Sequence, residues 1–328
     1  MAPFNIETTG EQIVAEFGAN ADGKTGSRLY ENTVVITGPS AGGLGAELLV
    51  TLAKAKSAHF VLAGRNEAKI NPVIEQIREL NPNIRTTFVA LNLLDIASVR
   101  KAAAEIDALV DSIDVLINNA GVAAKRDFSL SNDGVEAHLA ANYLGHFLLT
   151  NLLAAKIIAS HGIVLNVASM AYTLAEASTD DPNFNEGKNY SAWVAYGRSK
   201  TANILFTWAL AEKYGGKLVS LVADPGMAHD SQLLVNSAVD EEFLAEGFKI
   251  AAERMKGQQV PKTVLVSMQQ GVATQLRAVL DPSLRASAPA FLKESNIIPV
   301  LSYANDKGEA LKLWNWSEKV VGESFGSK

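Results

Sequence analysis

Three observations predict an α/β fold, with a parallel sheet covered by helices on both faces. Short β-branched or apolar runs alternate with helical stretches from residue 33 to residue 223, the rhythm of repeated βαβ units. A glycine-rich turn, Gly38-Pro-Ser-Ala-Gly-Gly-Leu-Gly45, follows the first of those runs directly and leads into a helix. Further on, Tyr196 and Lys200 stand four residues apart, on one face of a helix and one turn from each other.

The totals set bounds. At 328 residues, 48% hydrophobic and 20% charged, the chain can bury a large core and is not disordered. A formal charge of −6 offers no general attraction to nucleic acid or to an anionic membrane. The absence of cysteine excludes disulfides, thiolate catalysis and cysteine-ligated metals. His59, His138, His161 and His229 show no metal-ligand spacing, so no metal site is expected. The N-terminus lacks a basic segment followed by an apolar run, and no apolar stretch reaches the ~18 residues of a membrane span. A soluble, cytoplasmic protein is expected.

Residues 1–30 read as an N-terminal arm and 31–328 as one domain. In the arm, Thr8 or Thr9 caps a short helix with Ile13, Val14 and Phe17 on one side, and Gly18–Gly26 reads as loop. Thr33–Thr37 is a buried strand, the glycine turn follows, and Ala46–Ala53 is helical. A strand, a Gly-rich turn and a helix N-terminus form an anion site, because free N–H groups and the helix dipole face a pyrophosphate. Gly38, Ser40, Gly43, Leu44 and Gly45 are the candidate contacts, with the central glycine role open to Gly42 or Gly43.

The second strand, Ala58–Gly64, ends at Arg65-Asn66. An arginine there suits a ribose 2′-phosphate, whereas an acid suits a free 2′-hydroxyl, which favours NADP. Pro72 and Pro82 bracket a helix over Val73–Leu80. Strand Ile84–Leu91, helix Ser98–Val110 and strand Ile113–Ile117 continue the rhythm. Asn118-Asn-Ala-Gly121 then lies at a strand's carboxyl end, where small residues let a ligand approach the backbone. A helix over Val135–Leu153 holds Asn142 in an apolar run, and a buried amide needs partners; His146 reads as packing. Strand Gly162–Ala168 presents Ser169. A free tyrosine hydroxyl, pKa about 10, becomes a better proton carrier beside an ammonium such as that of Lys200. The chain also contains Tyr303-Ala-Asn-Asp-Lys307, the same spacing among turn formers, so spacing alone is not diagnostic.

Taken in order, Thr37-Gly38 with its glycine loop, Asn118-Asn-Ala-Gly121, Asn142, Ser169, Tyr196-x-x-x-Lys200 and Pro225-Gly226 resemble the short-chain dehydrogenase/reductase family over residues 31–322. Ala195–Phe206 is similar to the retinol-dehydrogenase-like branch, particularly its soluble fungal members. The resemblance implies a Rossmann-type, doubly wound, seven-stranded sheet and a tetrad of Ser169, Tyr196, Lys200 and Asn142. It also implies cofactor contacts from Asn92, Leu93, Asn118, Ala120, Gly121, Tyr196, Lys200, Pro225, Gly226 and Met227, beside the glycine loop, Arg65 and Asn66. The implied activity is NADP(H)-dependent interconversion of a carbonyl and an alcohol on a hydrophobic small molecule. Tyr196 carries the proton, Ser169 holds the oxygen, Lys200 lowers the tyrosine pKa, and Asn142 anchors a water that relays protons to Lys200. Segments 170–195 and 227–262 would wall the substrate pocket, and a homodimer is expected, with a monomer as the alternative.

The chain departs from the family pattern at three points. Four residues separate Thr37-Gly38 from Gly43-Leu44-Gly45, one more than usual. Asn92 replaces an aspartate, and Asp224-Pro-Gly replaces His/Asn-Pro-Gly without a following threonine. An epimerase or dehydratase on the same fold, or a non-enzymatic NADPH-binding regulator, are the competing readings.

Overall fold

In the computed structural model, residues 4–18, 32–55, 59–232, 240–255 and 264–326 are described. The expected loop over Gly18–Gly26 lies almost wholly outside them, as do residues 233–239 and 256–262 of the second substrate-side segment.

Seven parallel strands form the centre of the molecule, in the order β3–β2–β1–β4–β5–β6–β9. They are β1 (Thr33–Thr37), β2 (His59–Gly64), β3 (Arg85–Ala90), β4 (Val115–Asn118), β5 (Ile163–Val167), β6 (Val219–Asp224) and β9 (Ala290–Lys293). Two-residue β10 (Asn296–Ile297) adds an antiparallel edge, so the sheet has eight strands rather than seven. Such a short edge strand carries no period of its own. Met227–Ala228 (β7) and Leu265–Val266 (β8) pair separately. Strands β2, β4, β5 and β6 are buried throughout, as both-sides-covered parallel strands require. The strand order reverses between β1 and β4, which opens a crevice at their carboxyl ends.

One face of the sheet is covered by α1 (Gly10–Phe17), α2 (Leu44–Leu52), α3 (Glu67–Leu80) and later by Met268–Leu280. The other carries α4 (Ile96–Leu109), the segment around residues 137–159, α8 (Ala192–Lys213) and Lys307–Val321. That second face closes on an aromatic cluster in which Trp314 stands 4.9 Å from Phe147 between ring centroids. Thr9 is the cap of α1 and forms a capping box with Gln12, and Ile13 and Val14 join the main core.

Two elements differ from expectation. Helix α3 starts at Glu67, so Pro72 lies inside it; the proline forgoes one backbone bond on the exposed first turns. The helix expected over Val135–Leu153 is three pieces: α5 (Ala137–Leu139), a π-helical segment over Ala140–Leu144, and α6 (Gly145–Leu152), followed by α7 (Ala154–Ala159). The π segment places Asn142 at its centre, and such insertions accompany functional positions.

Candidate active site

The carboxyl ends of the strands frame a cleft of about 1010 Å³. Its first half is the glycine loop. Gly42 takes the left-handed turn at φ +75°, and Gly43 is the N-cap of α2 with no capping side chain. Only Gly43 of the two lines the cleft, together with Gly38, Ser40, Leu44 and Gly45. The extra residue is therefore absorbed in the turn, and the helix N-terminus keeps its free amides. Gly38, at φ +67°, lies so close to Ala120 that an added Cβ would sit 2.7 Å from the alanine's own.

At the far end, exposed Arg65 and Asn66 line the cleft beside Lys69. Among the described residues neither cation makes an ion pair. Lys69 was not expected; it lies in the first turn of α3, four residues beyond Arg65. Asn92 also lines the cleft, yet its Oδ1 accepts from Leu94 N at 3.3 Å, an Asx turn that occupies one lone pair of the expected acceptor. Leu93, Ala120, Gly121, Pro225, Gly226 and Met227 line the cleft as well. Asn118 does not. Its amide donates to Thr150 Oγ1 and Asn166 Oδ1, both at 2.9 Å, in a buried network that ties β4 to β5 and α6. As the last residue of β4, Asn118 faces the core, and it is Asn119, Ala120 and Gly121 that line the cleft.

Ser169, Tyr196 and Lys200 line the same cleft. Ser169 follows β5 and takes Ala171 N–H on its Oγ at 3.1 Å, and its side chain faces the Tyr196 hydroxyl and favours its ionised form. Lys200 places Nζ 5.5 Å from the centroid of the Tyr196 ring and donates to Val167 O at 3.0 Å. Tyr196 is half-buried and lines the cleft. Burial pushes its hydroxyl up to about 12, the Ser169 bond working against this and the Asp224 carboxylate adding to it. Burial also brings Lys200 down to about 8, opposed by Asp224. Desolvation is thus the largest influence on the hydroxyl in this structure.

Asn142 stands behind this centre. It is fully buried and does not line the cleft. Its Oδ1 accepts from Val122 N at 2.8 Å, while Nδ2 donates to Val122 O at 3.0 Å and to Ser199 Oγ at 2.9 Å. This clamp fixes the Gly121-Val122 wall, and Gly121 has to lack a Cβ, which would meet Asn142 Oδ1 at 3.1 Å. His146 is no mere packing residue. Its Nε2 pairs with Thr37 Oγ1 at 2.8 Å and its Nδ1 with Asn142 O at 3.0 Å. Thr37 Oγ1 in turn accepts from Asn119 N and Ala120 N. Burial lowers His146 to about 4, so the ring is neutral and bridges β1, β4 and the π segment.

On the substrate side, Leu174, Trp193, Leu244, Phe248, Ala251 and Val266 give an apolar wall. Several come from α9 (Glu241–Arg254), which rides on the Trp193 ring; Trp193 Nε1 donates to Phe243 O at 2.6 Å. Gly247 permits that approach, since a Cβ would lie 3.0 Å from the indole. From the 170–195 segment only its two ends reach the cleft; residues 175–192 do not line it. Instead Arg198 stacks 4.0 Å over Phe184, and Tyr190 OH donates to Lys125 O at 2.6 Å. Tyr303 and Lys307 do not share a helix; Tyr303 OH donates to Tyr172 O at 2.9 Å, a structural tie. No group of three or more potential metal ligands occurs among the described residues, and none of their helices is long and apolar enough to cross a membrane.

A phosphate-receiving loop, a Ser-Tyr-Lys centre and an apolar wall in one crevice define an oxidoreductase of the Rossmann type. The family model for short chain dehydrogenases matches residues 32–180. Short-chain dehydrogenase TIC 32 B, chloroplastic, of Brassica napus is 33% identical over 297 residues, covering 88% of each chain. Human retinol dehydrogenase 13 is 35% identical over 300 residues, covering 88% of this chain and 84% of the relative. A crystal structure of an uncharacterised protein from Mycobacterium paratuberculosis superposes with TM-score 0.63 at 28% identity, over 91% of this chain and 96% of the other. The chain belongs to the short-chain dehydrogenase family and is retinol-dehydrogenase-like. It is accordingly an oxidoreductase that uses a nicotinamide dinucleotide.

Proposed function

We propose that the protein is an NADP(H)-dependent reductase of a ketone or aldehyde on a hydrophobic small molecule. The observation that carries this reading is the convergence of Ser169, Tyr196 and Lys200 on one cleft that also holds Arg65 and Lys69 at its other end. The residues present fit a phosphorylated dinucleotide. The glycine loop leaves no Cβ in the way, the α2 N-terminus has no side-chain cap, and Arg65 and Lys69, which make no ion pair among the described residues, would offer their charges to a 2′-phosphate.

When bound, the nicotinamide supplies the hydride that adds to the carbonyl carbon. Tyr196 transfers its proton to the carbonyl oxygen, which becomes the alcohol. A hydroxyl whose pKa is pushed up to about 12 is protonated at neutral pH, which suits the reductive direction. Ser169 donates to the same oxygen and sets its distance from Tyr196. Lys200 holds a charge beside the tyrosine and offers N–H groups to a ribose hydroxyl, and Asn142 keeps the Gly121-Val122 wall in place. The apolar wall excludes water and selects a hydrophobic substrate body.

Tyr196→Phe tests the reading. Turnover on a carbonyl panel with NADPH should fall by roughly 10²–10⁴-fold, the usual worth of a general acid, while NADPH binding persists. Turnover close to wild type would refute it.

A further inference from the structure

Asp224 is a buried carboxylate in the cleft wall, 3% exposed. It ends β6 and stands in register with Lys293 at the end of β9. Side chains alternate faces along a strand. Ala223 and Leu292 belong to the cluster on the α1/α2 face, whereas Val222 and Phe291 pack with Tyr172 and Ile204 on the opposite face. Asp224 and Lys293, two residues beyond the latter pair, thus point to the face on which α8 presents Tyr196 and Lys200. Asp224 Oδ1 accepts from Gly226 N at 3.1 Å, and the amide of Met170 also favours the carboxylate. The Pro225-Gly226 loop thus holds Asp224 facing the loop after β5, which carries Ser169. The family pattern has an uncharged His or Asn at this place.

We propose that Asp224 is a positioning residue whose buried charge forms an anionic floor under Tyr196 and Lys200, biasing the pair toward giving a proton to a carbonyl and away from taking one from an alcohol. The inference rests on the proposed carbonyl reduction. An anion beside an ammonium favours its charged form, and beside a phenol it disfavours the phenolate, so both effects hold protons on the pair. The groups facing Asp224 are Lys200 and Tyr196 from α8, Tyr172 from the turn after β5, and Lys293 from β9. Lys293 opposes the bias, but its ammonium is shared with the neighbouring Glu294 carboxylate. Burial is the largest influence and holds the Asp224 carboxyl above the ordinary carboxylate range; the Gly226 amide, the Lys293 and Lys200 ammoniums and the Met170 amide work toward the carboxylate, the form the proposal requires at neutral pH.

Asp224→Asn keeps an oxygen for the Gly226 amide and removes the charge; Asp224→Ser removes the charge with a smaller side chain, and Asp224→Glu restores it. Lys200 is titrated by competitive labelling with fluorodinitrobenzene, read by mass spectrometry without cofactor or substrate. The midpoint should move to lower pH by about one unit in the Asn and Ser variants, the scale of one nearby charge, and return toward wild type in the Glu variant. The alkaline limb of carbonyl reduction should shift with it, and at pH 7 the kcat of alcohol oxidation should rise several-fold relative to the kcat of reduction, both measured at saturating substrate and cofactor. An unchanged Lys200 midpoint in both neutral variants overturns the proposal whatever the turnover. If no carbonyl is reduced by the wild type, the functional reading fails, and the labelling still reports on Asp224 by itself.

Discussion

Lys200→Met should make the protein more stable and inactive, and the structure sets the size of the effect. The ammonium is 5% exposed and its pKa falls from 10.5 to about 8, chiefly by desolvation. At 1.36 kcal/mol per pH unit, keeping it charged at pH 7 costs roughly 3 kcal/mol relative to the unfolded chain. Methionine removes that cost. It also removes the bond to Val167 O, worth about 1 kcal/mol net, although Asn203 Nδ2 still donates to that carbonyl at 3.3 Å. Asp224 meanwhile loses a counter-charge. A net gain of about 1–2 kcal/mol at pH 7 remains. The sign with pH follows from linkage. Between pH 8 and 10.5 the unfolded chain still binds a proton that the folded Lys200 has released, so wild-type stability rises across that window. The variant lacks this rise, and its advantage should vanish by pH 10. Urea unfolding of both proteins at matched pH values, without cofactor, measures the difference. A difference that stays constant with pH, or a less stable variant at pH 7, would refute the reasoning.

Arg65→Ala and Lys69→Ala should each weaken NADPH binding roughly ten-fold, the worth of one hydrogen bond to a charged group, and leave NADH binding unchanged; quenching of tryptophan fluorescence reads both. Gly38→Ala should lose about 2–3 kcal/mol of stability and most dinucleotide affinity, because a left-handed backbone costs an alanine ~1–2 kcal/mol and the new methyl overlaps Ala120. Thermal unfolding and NADPH titration measure the two losses, and a fully stable variant would show that the loop is free to move. His146→Phe should remove an acid-sensitive component of stability. The folded ring titrates at about 4 against an ordinary 6.5, so the wild type loses stability as pH falls from 6.5 toward 4. The variant should be less stable at pH 7, with Thr37 missing an acceptor, yet show a flatter decline in acid unfolding curves.

The parallel sheet was legible because strands buried on both faces are written as unbroken apolar runs, and because a strand, a glycine turn and a helix in succession have one geometric use. Arg65 at the end of β2 was legible for the same positional reason. Elements set by remote contacts were not. The π segment around Asn142 has no proline or paired glycines to announce it; it goes with the side-chain clamp on Val122, twenty residues earlier. Asn118 looked like part of a ligand turn, but its fate depends on Thr150 and Asn166 from other elements. Only the ends of the long 170–195 segment reach the cleft, because Phe184 and Tyr190 find partners elsewhere.

The reacting pair shows the same division most sharply. Four residues on a helix place a lysine beside a tyrosine, and that much follows from helical geometry. Whether the tyrosine is thereby acidified depends on what desolvates it and which other charges face it. Here burial moves Tyr196 and Lys200 in opposite directions, toward a protonated phenol and an ammonium easier to discharge. Asp224, from a strand ending twenty-four residues beyond Lys200, pushes both toward holding their protons. A Tyr-x-x-x-Lys motif therefore specifies proximity, while burial and the charges facing the pair set how firmly each group holds its proton. Exchanging Asp224 for the family's asparagine separates these two contributions, since the spacing is left intact and only the field changes.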